Sequence, residues 1–207
     1  MTIQLTRHIP EQAHHLFFFT KDITDIHADM SAQYPLLAAL LAHPKAGEAE
    51  WTKTAATVKT GQLSITAVVG LGDSALLTAE TVRRAAGVGS RLLEEDGEIV
   101  IHLPGSVWEL SDGLQAFAEG WELGAYRFDR YRSKPDPVRQ QTALVLTPEF
   151  VFPKDAESCL QKGLMLAQAV NCARDLINTP ANDMTPVQFA ARATEYGEKA
   201  GIDVTVL

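Results

Sequence analysis

The stretch best suited by composition to bind a cofactor spans residues 68–75 and reads VVGLGDSA. It fits the pattern G-x-G-x-x-A between a strand and a helix, in which glycines let a dinucleotide pyrophosphate approach the helix N-terminus. That fingerprint also requires an acidic residue about 20 positions further on, after the next strand. The next predicted strand ends at Leu103, and the acidic run at residues 94–96 comes before it. We therefore predict that Gly70 and Gly72 serve a tight strand-to-helix turn rather than a dinucleotide.

Histidine and cysteine are the other residue types that could bind a metal or act as a nucleophile. No H-E-x-x-H pair occurs, and no serine lies in a G-x-S-x-G elbow. We predict scattered surface positions for the histidines, which are His8, His14, His15, His27, His43 and His102. Cys159 and Cys172 lie roughly 20 Å apart on one predicted helix, too far for a disulfide, so we interpret both as small buried hydrophobic residues. These residues suggest no catalytic, cofactor-binding or metal-binding set.

Aromatic and cationic residues alternate at residues 126–132, YRFDRYR, as they do in proteins that bind single-stranded nucleic acid. The whole chain, however, carries 26 acidic and 18 basic residues and a formal net charge of −8, whereas nucleic-acid binders usually show a basic footprint. We interpret the stretch as the end of a helix, where arginines complement the negative C-terminal dipole. Nucleic acid is therefore a disfavoured partner, and contact through this patch stays open as an alternative.

Short β-rich runs alternate with helical patterns before residue 150. Runs rich in β-branched and aromatic residues predict strands at residues 3–7, 16–20, 51–60, 62–69, 98–103 and 142–147. Apolar residues spaced three or four apart predict helices at residues 34–43, 75–95 and 110–128. Strands that alternate with helices predict an α/β fold, in which helices cover both faces of a sheet.

The longest helical pattern begins at Cys159 and ends before Pro180, because the residue before a proline is disfavoured in the α conformation. One apolar stripe comprises Cys159, Gly163, Leu166, Val170, Ala173 and Ile177. A second stripe comprises Leu160, Leu164 and Ala167. A helix that is apolar most of the way round is usually packed on more than one side. We expect the first stripe to pack on the sheet domain, the second to be more exposed, and Arg174 and Asp175 to form a local ion pair.

After Pro180 the helical pattern restarts. A capping box at residues 185–188, TPVQ, with proline at the first helical position, predicts a helix that runs to Ala200. Alternating apolar and polar residues at 202–206 then predict a strand. A helix and one strand have no sheet of their own to join. We therefore expect an N-terminal α/β domain at residues 1–152, a linker helix and turn at 153–184, and the first αβ step of a truncated second domain at 185–207.

Two stretches carry a family resemblance. The stretch ARDLINTPANDMTP, residues 173–186, resembles the segment that joins the two domains of the leucyl aminopeptidase (cytosol aminopeptidase) family of metallopeptidases. The stretch EGWELGAYRFDRYR, residues 119–132, resembles a second family stretch upstream of it. The resemblance implies a macro-domain-like N-terminal domain with a mixed sheet flanked by helices. It also implies a hydrolase that removes N-terminal residues, preferentially leucine and other apolar ones, from peptides.

The resemblance also implies cofactors and an assembly. Family members use two divalent metal ions, zinc or manganese, held by carboxylates and a lysine in the C-terminal domain, and the full-length protein is expected to be a homo-oligomer, a hexamer. The family's metal-binding and catalytic signatures, including one of the N-T-D-A-E-G-R type, do not occur in this sequence. We therefore expect metals and peptide substrates to bind the absent domain and this chain alone to be inactive. The alternative is a stand-alone macro-like module that binds a nucleotide-type ligand or a protein partner.

The composition and the N-terminal sequence indicate the class of protein and its location. Hydrophobic residues make up 46% of the chain and charged residues 21%, as in an ordinary soluble globular protein. No apolar run approaches the roughly 20 residues that span a bilayer, and the N-terminus lacks a basic-then-apolar signal pattern. We expect a cytoplasmic protein with no membrane partner.

Overall fold

One mixed sheet organises the molecule, whose computed structural model describes residues 2–22, 34–59, 62–93, 96–134, 141–146 and 152–206. Its six strands are β1 Thr2–Leu5, β2 His14–Thr20, β3 Thr52–Lys59, β4 Gln62–Gly72, β5 Gly97–His102 and β6 Gln141–Leu146. Their spatial order is β1-β6-β5-β2-β4-β3, and all neighbours are parallel except β3 and β4 at one edge. The predicted α/β class with a mixed sheet is confirmed.

Helices connect the strands and continue beyond the sheet. In the described part they are α1 Pro35–Leu41, α2 Ala79–Gly89, α3 Gly105–Glu109, α4 Gly113–Ala125, α5 Ala156–Asn178 and α6 Pro186–Lys199, with a 3-10 turn at Ser74–Leu76. Among these described helices, none is long and apolar enough to cross a membrane.

Strand β2 contributes to both sides of the core. All seven of its residues are buried, because it lies between β5 and β4 in the middle of the sheet. Leu16 and Phe18 lie in the main core together with residues of α2, α4 and α5. Phe17 and Phe19 pack on the opposite face against Leu37 of α1. Successive side chains of a strand alternate between its faces, so one continuous apolar run fills both layers.

Two glycines bring the helices of the main core into close contact. A Cβ atom at Gly120 of α4 would lie 2.0 Å from the backbone oxygen of Arg83 in α2. A Cβ atom at Gly163 of α5 would lie 2.4 Å from the backbone oxygen of Gln115 in α4. A larger residue at either position would force two helices apart. Helix α4 is therefore packed tightly between α2 and α5.

The buried side of α5 is not the one that its apolar stripes predicted. Leu166 and Val170 are 45% and 44% exposed, so the expectation that their stripe packs on the sheet domain is wrong. Gly163 lets the backbone of α5 approach α4 closely, and Ala167, one turn further on, is also buried. The residues that face the core are Ala156, Leu160, Gly163 and Ala167.

Three predicted elements differ in the structure. The helix predicted at 75–95 is a 3-10 turn followed by α2, which begins after Thr78 because the Thr78 hydroxyl accepts a hydrogen bond from the Thr81 amide at 3.3 Å. The helix predicted at 110–128 is the shorter α4, and the short helix α3 that precedes it was not predicted. Residues 202–206 form no strand, because no described strand lies beside them to pair with. The predictions at residues 27, 60–61, 94–95, 135–137 and 147 lie outside the described residues.

Candidate functional site

The backbone amides of the two glycines at residues 68–75 are already engaged. Gly70 donates its N–H to the Trp51 carbonyl at 2.8 Å, and Gly72 donates its N–H to the Gly47 carbonyl at 2.8 Å. Both glycines belong to β4, and a Cβ atom at Gly70 would lie 1.9 Å from the backbone oxygen of Glu48. The predicted turn is wrong for Gly70, which accommodates a neighbouring loop, whereas Gly72 has a φ of +84° at the end of β4, just before the 3-10 turn. These amides are not available to a pyrophosphate.

Two histidines form a buried pair. Nδ1 of His15 on β2 lies 3.2 Å from Nε2 of His102 on β5, among rings that include Phe17 and Tyr34. Burial, and to a smaller extent His14, lowers the pKa of His15 to about 4, and burial lowers the pKa of His102 well below 6.5. Both imidazoles are therefore neutral at pH 7. The predicted surface location is wrong for His14 and His15, which are buried at the start of β2.

Other side chains of the metal-binding type are engaged locally. Nδ1 of His43 accepts a hydrogen bond from the Lys45 amide at 3.2 Å, and its ring stacks on Trp51 with 5.1 Å between centroids. Cys159 and Cys172 are unpaired and half-buried rather than fully buried. The described residues contain no group of three or more histidine, cysteine, aspartate or glutamate side chains that could hold an ion.

Two tyrosines in the segment after α4 form hydrogen bonds to the C-terminal end of α5 and to the turn that follows it. The Tyr126 hydroxyl donates to Asp175 Oδ1 at 2.7 Å and accepts from Asn178 Nδ2 at 3.2 Å. The Tyr131 hydroxyl donates to Asp183 Oδ2 at 2.6 Å. We call these hydrogen bonds the tyrosine contacts. They connect residues 49 and 52 positions apart, so no local pattern in the sequence could reveal them.

Arg174 also connects the end of α5 to α4. Its Nη1 donates to the Leu123 carbonyl at 3.1 Å and to Asn171 Oδ1 at 3.2 Å, and its guanidinium lies 5.4 Å from the centre of the Tyr126 ring. The predicted ion pair with Asp175 is wrong, because Asp175 accepts from Tyr126 and Arg174 binds α4. The end of α5 is therefore held by hydrogen bonds to α4 and to the segment that follows α4.

The middle of the side of α5 that points away from the core is uncharged and rich in apolar residues. No charged residue occurs between residues 163 and 173 of this helix. On the neighbouring α6, Val187 and Phe189 are 76% and 53% exposed. Exposed apolar surface of this kind marks an interaction site. We define the exposed face of α5 as Met165, Leu166, Val170 and Ile177, which are 44% to 81% exposed.

Comparisons with known sequences agree on one family. A sequence profile described as "Cytosol aminopeptidase family, N-terminal domain" matches residues 30–135. A "Probable cytosol aminopeptidase" of Rhodococcus jostii (strain RHA1) is 36% identical over 186 residues, which cover 86% of this chain and 35% of the relative. Another, of Nocardia farcinica (strain IFM 10152), is 38% identical and covers 88% of this chain. The chain spans about a third of the length of the curated relatives that it matches.

Solved structures show the same architecture. The bottromycin maturation enzyme BotP in complex with Mn matches with a TM-score of 0.63 and 27% identity, over 91% of this chain and 37% of that one. A mutant of tomato leucine aminopeptidase matches with a TM-score of 0.71 and 16% identity, over 97% of this chain and 42% of that one. The second likeness shows the fold alone. In both, more than half of the compared protein lies outside the matched region.

Proposed function

We propose, since this chain belongs to the cytosol aminopeptidase family, that it is the N-terminal, non-catalytic portion of a metal-dependent exopeptidase that releases N-terminal amino acids from peptides. The profile match at residues 30–135 supports the family. The span of about a third of the relatives supports a portion of a longer enzyme. The structural observation that carries the proposal is the exposed face of α5.

The exposed face has the composition of an interior surface. The outer side of a surface helix normally carries charged residues, but none occurs between residues 163 and 173. Fully burying a side chain the size of leucine or valine contributes about 1.5–3 kcal/mol, so covering four partly exposed ones would contribute on the order of 4 kcal/mol. We propose that the catalytic portion of the longer enzyme packs on this face.

Two divalent metal ions, zinc or manganese, are the proposed cofactors, in agreement with the Mn named for BotP. Such a pair, when bound, activates a shared water and polarises the scissile carbonyl. The described residues of this chain do not fit it. They offer no group of three or more ligand side chains, and the nitrogens of His15 and His102 face each other at 3.2 Å in a neutral pair. We therefore assign the metal ions and the peptide site to the downstream portion.

The role proposed for this chain is to support and orient the catalytic portion. The tyrosine contacts and Arg174 hold the end of α5, so the helix and the turn after it keep one direction relative to the sheet. A fixed direction at the junction would present the exposed face in one orientation. We further propose a cytoplasmic homo-oligomer, a hexamer, for the longer enzyme, which light scattering of that enzyme would test.

Activity measurements test the proposal directly. The 207-residue chain and the longer enzyme are each incubated with leucine amide and Mn²⁺ or Zn²⁺. We expect release of leucine by the longer enzyme and none by the short chain. Metal-dependent release by the short chain alone would refute the assignment as a non-catalytic portion.

A matched pair of variants tests the exposed face in the longer enzyme. Val170→Asp places a carboxylate on this face, and we expect it to lower activity and stability by disturbing the packed interface. Val58→Asp is the control, because Val58 is 71% exposed on the edge strand β3. Equal activity of the two variants would contradict an interface at α5.

The other candidate is a stand-alone module that binds a nucleotide-type ligand at the glycine stretch. The amides of Gly70 and Gly72 are engaged by Trp51 and Gly47. No observation at that stretch favours a ligand, and we do not propose it there.

A further inference from the structure

A crevice of about 430 Å³ lies where three segments meet: the chain just after α4, the C-terminal end of α5, and α6. We call it the junction crevice. It lies within this chain and is independent of the proposed function. Its polar walls include Arg127, Asp129, Arg130, Asp175, Arg192 and Tyr196.

The carboxylates of the junction crevice already have partners. Asp175 accepts from the Tyr126 hydroxyl at 2.7 Å, and Asp129 pairs with Arg132 at 3.3 Å. Neither Tyr126 nor Arg132 lines the crevice. The acidic groups of the walls are therefore satisfied from outside the crevice.

Arg130 and Arg192 keep donors for a ligand. Arg130 lies 5.8 Å from the centre of the Tyr131 ring and makes no ion pair with any described residue. Arg192 uses Nη1 to bind Glu195 at 2.8 Å, and a guanidinium has five N–H donors in total. Three of the chain's ten arginines line this one crevice, although the formal net charge is −8. Cationic donors thus converge from two segments that are about 60 residues apart in the sequence.

The volume and the apolar walls narrow the ligand class. A volume of about 430 Å³ exceeds what a single inorganic ion needs and falls within the range of small-molecule sites. Phe128, Leu176 and Met184 supply apolar surface beside the arginines. A phosphate ester carries nearly two negative charges at neutral pH, so it can pair with two guanidiniums at once, whereas a carboxylate carries only one charge. We propose that the junction crevice binds a phosphate-bearing small molecule, with Arg130 and Arg192 on the phosphate oxygens.

Calorimetric titration of the 207-residue chain tests this site, with AMP and inorganic pyrophosphate as probes and acetate at matched ionic strength as the control. We expect saturable binding of a phosphate probe and none of acetate. Arg130→Ala and Arg192→Ala should each weaken binding by about tenfold or more, because each removes a charge-assisted hydrogen bond. Arg130→Lys keeps the charge but loses the bidentate geometry, and should bind with intermediate affinity.

The control variant is Arg84→Ala, which removes an exposed arginine that pairs with Glu50 away from the crevice. It should bind the probes as the unaltered chain does. Circular dichroism without ligand establishes that each variant is folded. The proposal is overturned if no phosphate probe binds saturably, if acetate binds equally well, or if Arg130→Ala and Arg192→Ala leave the affinity unchanged. Binding of a single-stranded oligonucleotide in the absence of AMP and pyrophosphate binding would also overturn it.

Discussion

Replacing Leu160 by alanine measures which side of α5 holds the helix on the sheet domain. Leu160 is 0% exposed and belongs to the main core with residues of β2, α2 and α4. Truncating a buried leucine costs about 2–5 kcal/mol, because the transfer free energy of the removed atoms is lost and a cavity remains. For a chain of this size 1 kcal/mol shifts the melting temperature by about 2–4 °C, so a loss of about 3 kcal/mol lowers it by roughly 6–12 °C.

Val170→Ala is the matched comparison at an exposed position of the same helix. Val170 is 44% exposed, so its truncation removes little buried surface and should cost less than about 1 kcal/mol. Both variants are melted in the 207-residue chain and followed by circular dichroism, with urea unfolding as a second measurement. Equal losses for the two variants, or a larger loss for Val170→Ala, would refute the orientation described for α5.

Two other predictions concern the core. Acidification should destabilise the chain, because the pKa of His15 falls from 6.5 to about 4 on folding. The stability is fully present above about pH 6.5 and is lost as the pH falls towards 4. For this residue the loss in the free energy of unfolding is roughly 3 kcal/mol. His15→Phe should flatten the pH dependence of urea unfolding over that range, and an unchanged profile would contradict the buried neutral pair. Gly120→Ala should cost about 1–3 kcal/mol, because its Cβ would lie 2.0 Å from the Arg83 backbone oxygen. Gly105→Ala is the control, because a Cβ atom at Gly105 would meet nothing within 4 Å. Similar melting temperatures for Gly120→Ala and Gly105→Ala would argue against the close helix contact.

Several features of this protein could be predicted from short stretches of sequence because their causes are local. The β-rich run at residues 16–20 predicted a strand, and the structure places that strand, β2, in the middle of the sheet. The capping box at residues 185–188 predicted the start of α6, and the Thr185 hydroxyl accepts from the Gln188 amide at 3.4 Å. The stretch at residues 173–186 indicated the family that the sequence comparisons then showed. In each case the signal lies within a few consecutive residues.

The tertiary structure alone decided which residues meet. Periodicity showed that α5 has apolar stripes, but the buried residues Leu160, Gly163 and Ala167 come from both stripes, with Gly163 packed closely against Gln115 of α4. His15 and His102 become a pair only because β2 and β5 are neighbours in the sheet, 87 residues apart in the chain. The tyrosine contacts and the junction crevice likewise join segments separated by about 50 or more residues. A local pattern indicates whether a segment is a helix or a strand. The face that this element buries, and the elements it packs on, depend on the shape and polarity of segments that are distant in the sequence.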